Sequence, residues 1–163
     1  MTTYYLLEHR HQFADGAVNM KLIGIYSSLA NAKAALRQVR DQPGFRDSLE
    51  NFRIFPRLLD ETNWRQPQPI LVSGEPESGG AGLAGRGGTP LYLIWQELQD
   101  AAGREEVTLI GIYSTEAKAE AALAEVRQQP EFRDRPESLA IYDDALDEID
   151  WREGYVTLTP DEM

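Results

Sequence analysis

No cysteine occurs in the chain, which excludes disulfides and thiolate metal sites. Histidine is nearly as scarce: His9 and His11 are the only two, so any imidazole chemistry must come from one short stretch. No apolar run approaches the roughly 20 residues that a bilayer span needs. Residues 1–10 also lack the basic and apolar regions of a secretory signal, so a cytoplasmic protein without membrane contact is expected. Positive charge is in deficit, with 16 Lys and Arg against 27 Asp and Glu and a net charge of −11. Free nucleic acid, whose affinity rests on phosphate neutralisation, is therefore not an expected direct partner, whereas a basic protein would be attracted. A hydrophobic content of 42 %, with three Trp, seven Tyr and five Phe, is ordinary for a globular protein and argues against wholesale disorder.

What is present is a repeat. Leu22-Ile23-Gly24-Ile25-Tyr26-Ser27 returns as Leu109-Ile110-Gly111-Ile112-Tyr113-Ser114, an offset of 109 − 22 = 87 that holds without a gap from Tyr5/Tyr92 to Arg65/Arg152. Between Leu22 and Gln66, 25 of 45 positions are identical to their counterparts, which establishes an internal duplication. The organisation expected is a first repeat over residues 1–66, a Gly- and Pro-rich linker over 67–90 and a second repeat over 91–163. A lone copy of this size would be marginally stable, so the two are expected to pack on each other. Their charges differ sharply: nine basic against seven acidic residues gives +2 in the first, one against two gives −1 in the linker, and six against eighteen gives −12 in the second. Solubility alone is the blander account of such acidity, but here only one of two related copies carries it.

Each copy reads as β-β-α-β with an optional last strand. Residues 4–8 and 91–95 form the first strand, residues 9–21 and 96–108 a polar hairpin loop, and residues 22–26 and 109–113 a second strand apolar on both faces. Gly24 and Gly111 admit close approach of a helix or another backbone. Ser27-Ser28 and Ser114-Thr115 are N-cap signals for helices over 29–41 and 116–128, which Pro43 and Pro130 stop. A third strand follows at 51–58 and 138–146, and Ile70-Leu71-Val72 and Tyr155-Val156-Thr157 stand as candidate edge strands. The fold expected is α+β: two tandem β-β-α-β(-β) repeats packed with pseudo-two-fold symmetry, the helices on one face of antiparallel sheet.

The duplication also tests candidate chemistry. Gly80-Ala81-Gly82-Leu83-Ala84-Gly85 matches the dinucleotide fingerprint in letters, but it lacks the strand before and the helix after that would place a pyrophosphate on a helix N-terminus. His9 and His11 have Gln96 and Leu98 as counterparts, so an imidazole site would exist in one copy only, and Glu8 is the one nearby carboxylate to help a metal. Of the acids in Asp143-Asp144-Ala145-Leu146-Asp147-Glu148-Ile149-Asp150-Trp151-Arg152-Glu153, only Asp147 and Glu148 recur, as Asp60 and Glu61, and these read as turn or helix-capping residues. Asp143, Asp144 and Asp150 read as an acidic patch. Arg46-Asp47 and Arg133-Asp134 read as a structural pair at the turn after the helix. Trp64 and Trp151 read as lids over the end of each core, or, if exposed, as interface anchors.

The segments Tyr5-Leu6-Leu7, Leu22-Ile23-Gly24-Ile25-Tyr26-Ser27-Ser28, Pro43-Gly44-Phe45-Arg46-Asp47 and Trp151-Arg152-Glu153-Gly154-Tyr155 give the chain its resemblance to a family of small, uncharacterised bacterial domains. That family's pattern runs Tyr-Leu-Leu, Ile-Gly-Val-Tyr-Ser-Ser, Pro-Gly-Phe and Trp-x-Glu-Gly-Phe; Glu131 and Gln66-Pro67 depart from it. The resemblance implies an immunity-like protein encoded near a toxin, and it carries no catalytic residues. The function expected is a non-enzymatic, cofactor-free and metal-free immunity or antitoxin-like inhibitor that binds a basic bacterial toxin or effector through Asp143, Asp144, Asp147, Glu148, Asp150, Trp151 and Glu153. The alternative is a structural or regulatory module that self-associates through strand edges.

Overall fold

Backbone pairing carries the first hairpin well into sequence that reads as polar loop. In the computed structural model, which describes residues 2–12, 18–46, 49–65, 69–70, 88–99, 101, 105–151 and 154, strand β1 spans Thr3–Gln12 and β2 spans Val18–Tyr26. They pair antiparallel from Tyr5↔Tyr26 to Gln12↔Val18, with a bulge at Leu7/Glu8. The corresponding strands of the second copy, here β5 (Pro90–Gln99) and β6 (Glu105–Tyr113), pair from Tyr92↔Tyr113 to Gln99↔Glu105 with a bulge at Ile94/Trp95. Both ladders therefore carry one register at the 87-residue offset. The expected loops at 9–21 and 96–108 are corrected to strand over most of their length. Backbone pairing within each hairpin explains it, since β1 and β2 pair out to Gln12↔Val18 and the second copy's pair out to Gln99↔Glu105, beyond the reach of the third strands at His9↔Phe52 and Gln96↔Leu139.

Helix α1 (Leu29–Val39) starts where the Ser28 hydroxyl accepts the Asn31 amide at 3.1 Å, and α2 (Glu116–Val126) where Thr115 accepts the Lys118 amide at the same distance. Each ends two residues earlier than the prolines alone suggest. Strand β3 (Phe52–Leu58) joins the free edge of β1, giving the order β2-β1-β3. The two-residue β4 (Glu61–Thr62) crosses to β6, and β7 (Leu139–Ala145) pairs with β5, giving β4-β6-β5-β7. The fold is mixed α+β, with two antiparallel sheets and two helices.

Neighbouring residues of one strand serve different cores, because successive side chains point to opposite faces. Leu7, Ile23 and Ile54 pack with Ala32, Ala35 and Val39 of α1, while Leu6 and Ile25 pack with Leu91, Leu93, Trp95 and Ile112 of the second copy. The counterpart of the first cluster places Ile94 and Ile110 with Ala119, Leu123, Val126 and Phe132.

After β3 and after β7 the chain does not stay with its own sheet. The amides of Asp60 and Asn63 donate to the carbonyls of Ile112 and Ile110, both at 2.8 Å, so residues 60–63 form a strap along the second copy's β6. The amides of Asp147 and Asp150 donate to Ile25 and Ile23 at 2.8 and 2.7 Å, and residues 146–150 form the matching strap along β2. Ile149 is buried among the first copy's core residues, and Trp64 packs on the second copy's core with its ring 5.1 Å from Phe132. The backbone approach that Gly24 and Gly111 admit is that of these straps: a Cβ on Gly24 would collide with the Glu148 carbonyl, and one on Gly111 would lie 2.9 Å from that of Glu61. Among the described residues no helix is long and apolar enough to cross a membrane.

Candidate functional site

The two shared aspartates are capping residues, but each caps the other copy. Asp60 accepts the Ser114 amide at 2.8 Å and the Ser114 hydroxyl at 2.8 Å, and takes Lys118 Nζ at 3.1 Å. Asp147 accepts the Ser27 amide at 2.9 Å, the Ser27 hydroxyl at 2.6 Å and Asn31 Nδ2 at 3.2 Å. Both aspartates adopt positive φ, 61° and 60°, a left-handed conformation that Asp tolerates better than most residues. Burial pushes the Asp60 carboxyl up, but the Ser114 amide and hydroxyl and the Lys118 ammonium together outweigh it and hold the group below its ordinary value. A carboxylate at the start of a helix also meets the positive end of the helix dipole.

Where each strap leaves its strand, the copies differ. In the first, Arg57 of β3 is buried and donates from Nη2 to the carbonyls of Asn63 at 2.7 Å and Leu109 at 3.4 Å, so a guanidinium stitches the strap down. Burial lowers its pKa, opposed by the charges of Tyr113 and Glu61. Beside it the Thr62 and Tyr113 hydroxyls are 2.6 Å apart. At the position of Arg57 the second copy has Asp144 on β7, where Asn63 becomes Asp150 and Thr62 becomes Ile149. Burial drives the Asp144 carboxyl up to about 6, the Ala145 amide opposes the rise, and Asp150, Glu148 and Asp143 add to it.

Of the seven residues expected to bind a partner, Asp143, Glu148 and Asp150 act electrostatically on Asp144. Asp147 is turned away from the group into its cap on Ser27. Trp151 is 45 % exposed, holds a positive φ of 63° and lies with Lys21 Nζ 5.4 Å from its ring centroid. Glu153 lies outside the described residues. This set does not belong to the second copy alone: Glu148, Asp150 and Trp151 are carried across to the first copy by the strap. For the tryptophans, the reading as a lid over the residue's own core is corrected, and Trp151 meets the exposure on which the interface-anchor alternative was conditioned. Trp64 covers the core of the copy it does not belong to, and Trp151 is exposed.

His9 is fully buried, edge-on to Phe45 at 5.0 Å and Phe52 at 4.7 Å, within β1 rather than at its end. Glu8 is also buried, which raises its pKa against the opposing Arg10, whose Nε donates to it at 2.6 Å. Among the described residues no group of three or more His, Asp or Glu could hold a metal. Arg46, Arg133 and Asp134 are exposed, and Asp47 lies outside the described residues. Ile70 bridges Ile54 antiparallel, its amide 2.7 Å from the carbonyl. Leu71, Val72, the glycine motif at 80–85 and Tyr155-Val156-Thr157 fall outside the description. What the sequence withheld was the crossing of the straps; its one signal was that Leu59-Asp60-Glu61 and Leu146-Asp147-Glu148 match while their flanks diverge. Comparison of the chain with protein-family models, with curated proteins and with solved structures finds no match.

Proposed function

We propose that this chain is a non-enzymatic protein-binding protein of the immunity or antitoxin type, acting in the cytoplasm on a basic bacterial toxin or effector. One observation carries the reading: Asp143, Glu148 and Asp150 all raise the partly buried Asp144 carboxyl electrostatically, and Asp150 is next in sequence to the exposed Trp151. A concentrated negative potential speeds encounter with a positive partner, and a large aromatic supplies affinity once the partner is seated. The resemblance to small immunity-like bacterial domains supports the same class of partner.

The reading includes an organisation finer than two sheets and two helices. Residues 1–66 and 91–163 are tandem repeats around the linker 67–90, related by an approximate two-fold axis, each helix covering one face of its sheet. Registers repeated at the 87-residue offset and the reciprocal straps support it. The acidic face then lies at one of two equivalent junctions, and the other junction is filled by Arg57.

The test is titration of the full chain against the products of the neighbouring genes, at low and moderate salt. Replacing Asp143, Asp144 and Asp150 together by Asn is expected to weaken binding about tenfold or more and to flatten its salt dependence. Unchanged affinity at low salt overturns the proposal.

A further inference from the structure

The same two strap positions do opposite work in the two copies. In the first strap the tryptophan enters the opposite core: Trp64 is half-buried with its ring 5.1 Å from Phe132 and perpendicular to it, while Thr62, two residues earlier, is exposed. In the second strap the assignment is exchanged. Ile149, the counterpart of Thr62, is buried in the first core, and Trp151, the counterpart of Trp64, is left 45 % exposed. The backbone carries the exchange: of the described non-glycine residues only Asp60, Asp147 and Trp151 take positive φ, and for a residue as bulky as tryptophan 63° is a genuine outlier. Such a conformation persists only where its surroundings over-determine it. Ile149 pins the chain before Trp151; after it the Gly154 amide donates to the Trp151 carbonyl at 2.9 Å, and a Cβ on Gly154 would collide with the Pro43 carbonyl. The edge-on contact that Trp64 makes with Phe132 is made to its counterpart Phe45 by His9, at 5.0 Å, where the second copy has Gln96.

We propose that Trp151 is a presented anchor: Ile149 holds the strap in place of the tryptophan, so that the indole stays outside the core and inserts into an apolar pocket of a protein partner. This role rests on the partner-binding reading above, and it assigns to Trp151 the step that follows electrostatic encounter. Two features define the partner's chemistry. An indole gains most from a desolvated apolar pocket; a nucleobase could stack on it, but a chain of net charge −11 repels the phosphates that come with the base. Asp150 precedes the tryptophan in the strap and Glu148 lies two residues further back, which suits a pocket with basic residues at its rim. Lys21 Nζ, 5.4 Å from the ring centroid, steadies the indole from the first copy by a cation–π contact.

Paired glycine substitutions in the full chain separate a presented tryptophan from a structural one. Trp64→Gly removes a core contact and is expected to lower the urea midpoint clearly. Trp151→Gly removes exposed surface and relieves a positive φ that glycine adopts freely, so its midpoint is expected at or above that of the wild type. Titration against the products of the neighbouring genes supplies the second readout. Trp151→Gly is expected to weaken binding about tenfold or more at every salt concentration, whereas Asn at Asp143, Asp144 and Asp150 flattens the salt dependence. Should Trp151→Gly lower the midpoint through the flexibility of glycine, Trp151→Ala must keep the wild-type midpoint and show the same loss of binding. A fall in both Trp151 variants as large as that of Trp64→Gly makes the residue structural and overturns the proposal. Wild-type binding that Trp151→Gly leaves undiminished overturns the anchor and spares the acidic surface; no binding by the wild type overturns the partner-binding reading, and the anchor with it.

Discussion

At the scale of single residues, Asp60 and Asp147 show how far a capping interaction can act along the chain. The Ser that each one meets precedes a helix start that is plain in the sequence, but the carboxylate arrives from 54 or 120 residues away. Replacing either aspartate by Ala is expected to cost about 1 kcal/mol in urea denaturation, the usual worth of an N-terminal cap. The Asp60 contribution has a defined pH course. Its folded pKa lies below the unfolded value, so the stabilisation is present above about 3.8 and fades as pH falls through the lower, folded value. Acid titration of wild type against Asp60→Asn checks this: the variant lacks that part of the acid-side loss. That these aspartates were turn or capping residues was legible in the sequence, because both copies keep them; which helix they cap was not.

At the scale of elements, the straps carry more than their length suggests. Residues 146–150 place an isoleucine in a core built otherwise by the first copy, where Ile149 is 5 % exposed. Ile149→Ala is expected to destabilise the first copy's sheet by roughly 2–4 kcal/mol, the range for truncating a buried aliphatic side chain. Exchange of the β1 and β2 amides should accelerate more than that of β5 and β6. Equal acceleration in both sheets would mean that the two cores unfold as one unit. Strand and helix positions were largely readable from the repeat and from its serine and proline signals. The hairpins extended beyond their apolar runs because pairing of β1 with β2 and of β5 with β6 satisfies backbone groups that side-chain patterning does not report.

At the scale of the whole molecule, the copies hold each other three times: through the two straps and through the apolar cluster of Leu6, Ile25, Leu91, Leu93, Trp95 and Ile112. The covalent linker is therefore not what unites them. A protease site inserted between Gly82 and Leu83 and then cut is expected to leave halves that co-elute as one species near the 18.4 kDa of the intact chain. Elution as two separate fragments under native conditions refutes that view. The charge difference between the copies also changes meaning at this scale, since Glu148, Asp150 and Trp151 belong to the second copy in sequence and lie on the first in space.

The sequence by itself determined the duplication, the order and type of the elements, the capping serines, the charge imbalance and the absence of cysteine chemistry. These are local or compositional properties, each fixed by residues near one another along the chain or by simple counts. Only the tertiary structure decided that the straps exchange, that His9 is a core residue, that Trp64 and Trp151 differ in exposure and that the buried Arg57 bonds a strap. The physical reason is common to all four. Each depends on which segment from a distant part of the chain completes a sheet edge or a core, and hydrophobic burial and backbone pairing choose that partner from surfaces that exist only once both copies have folded together.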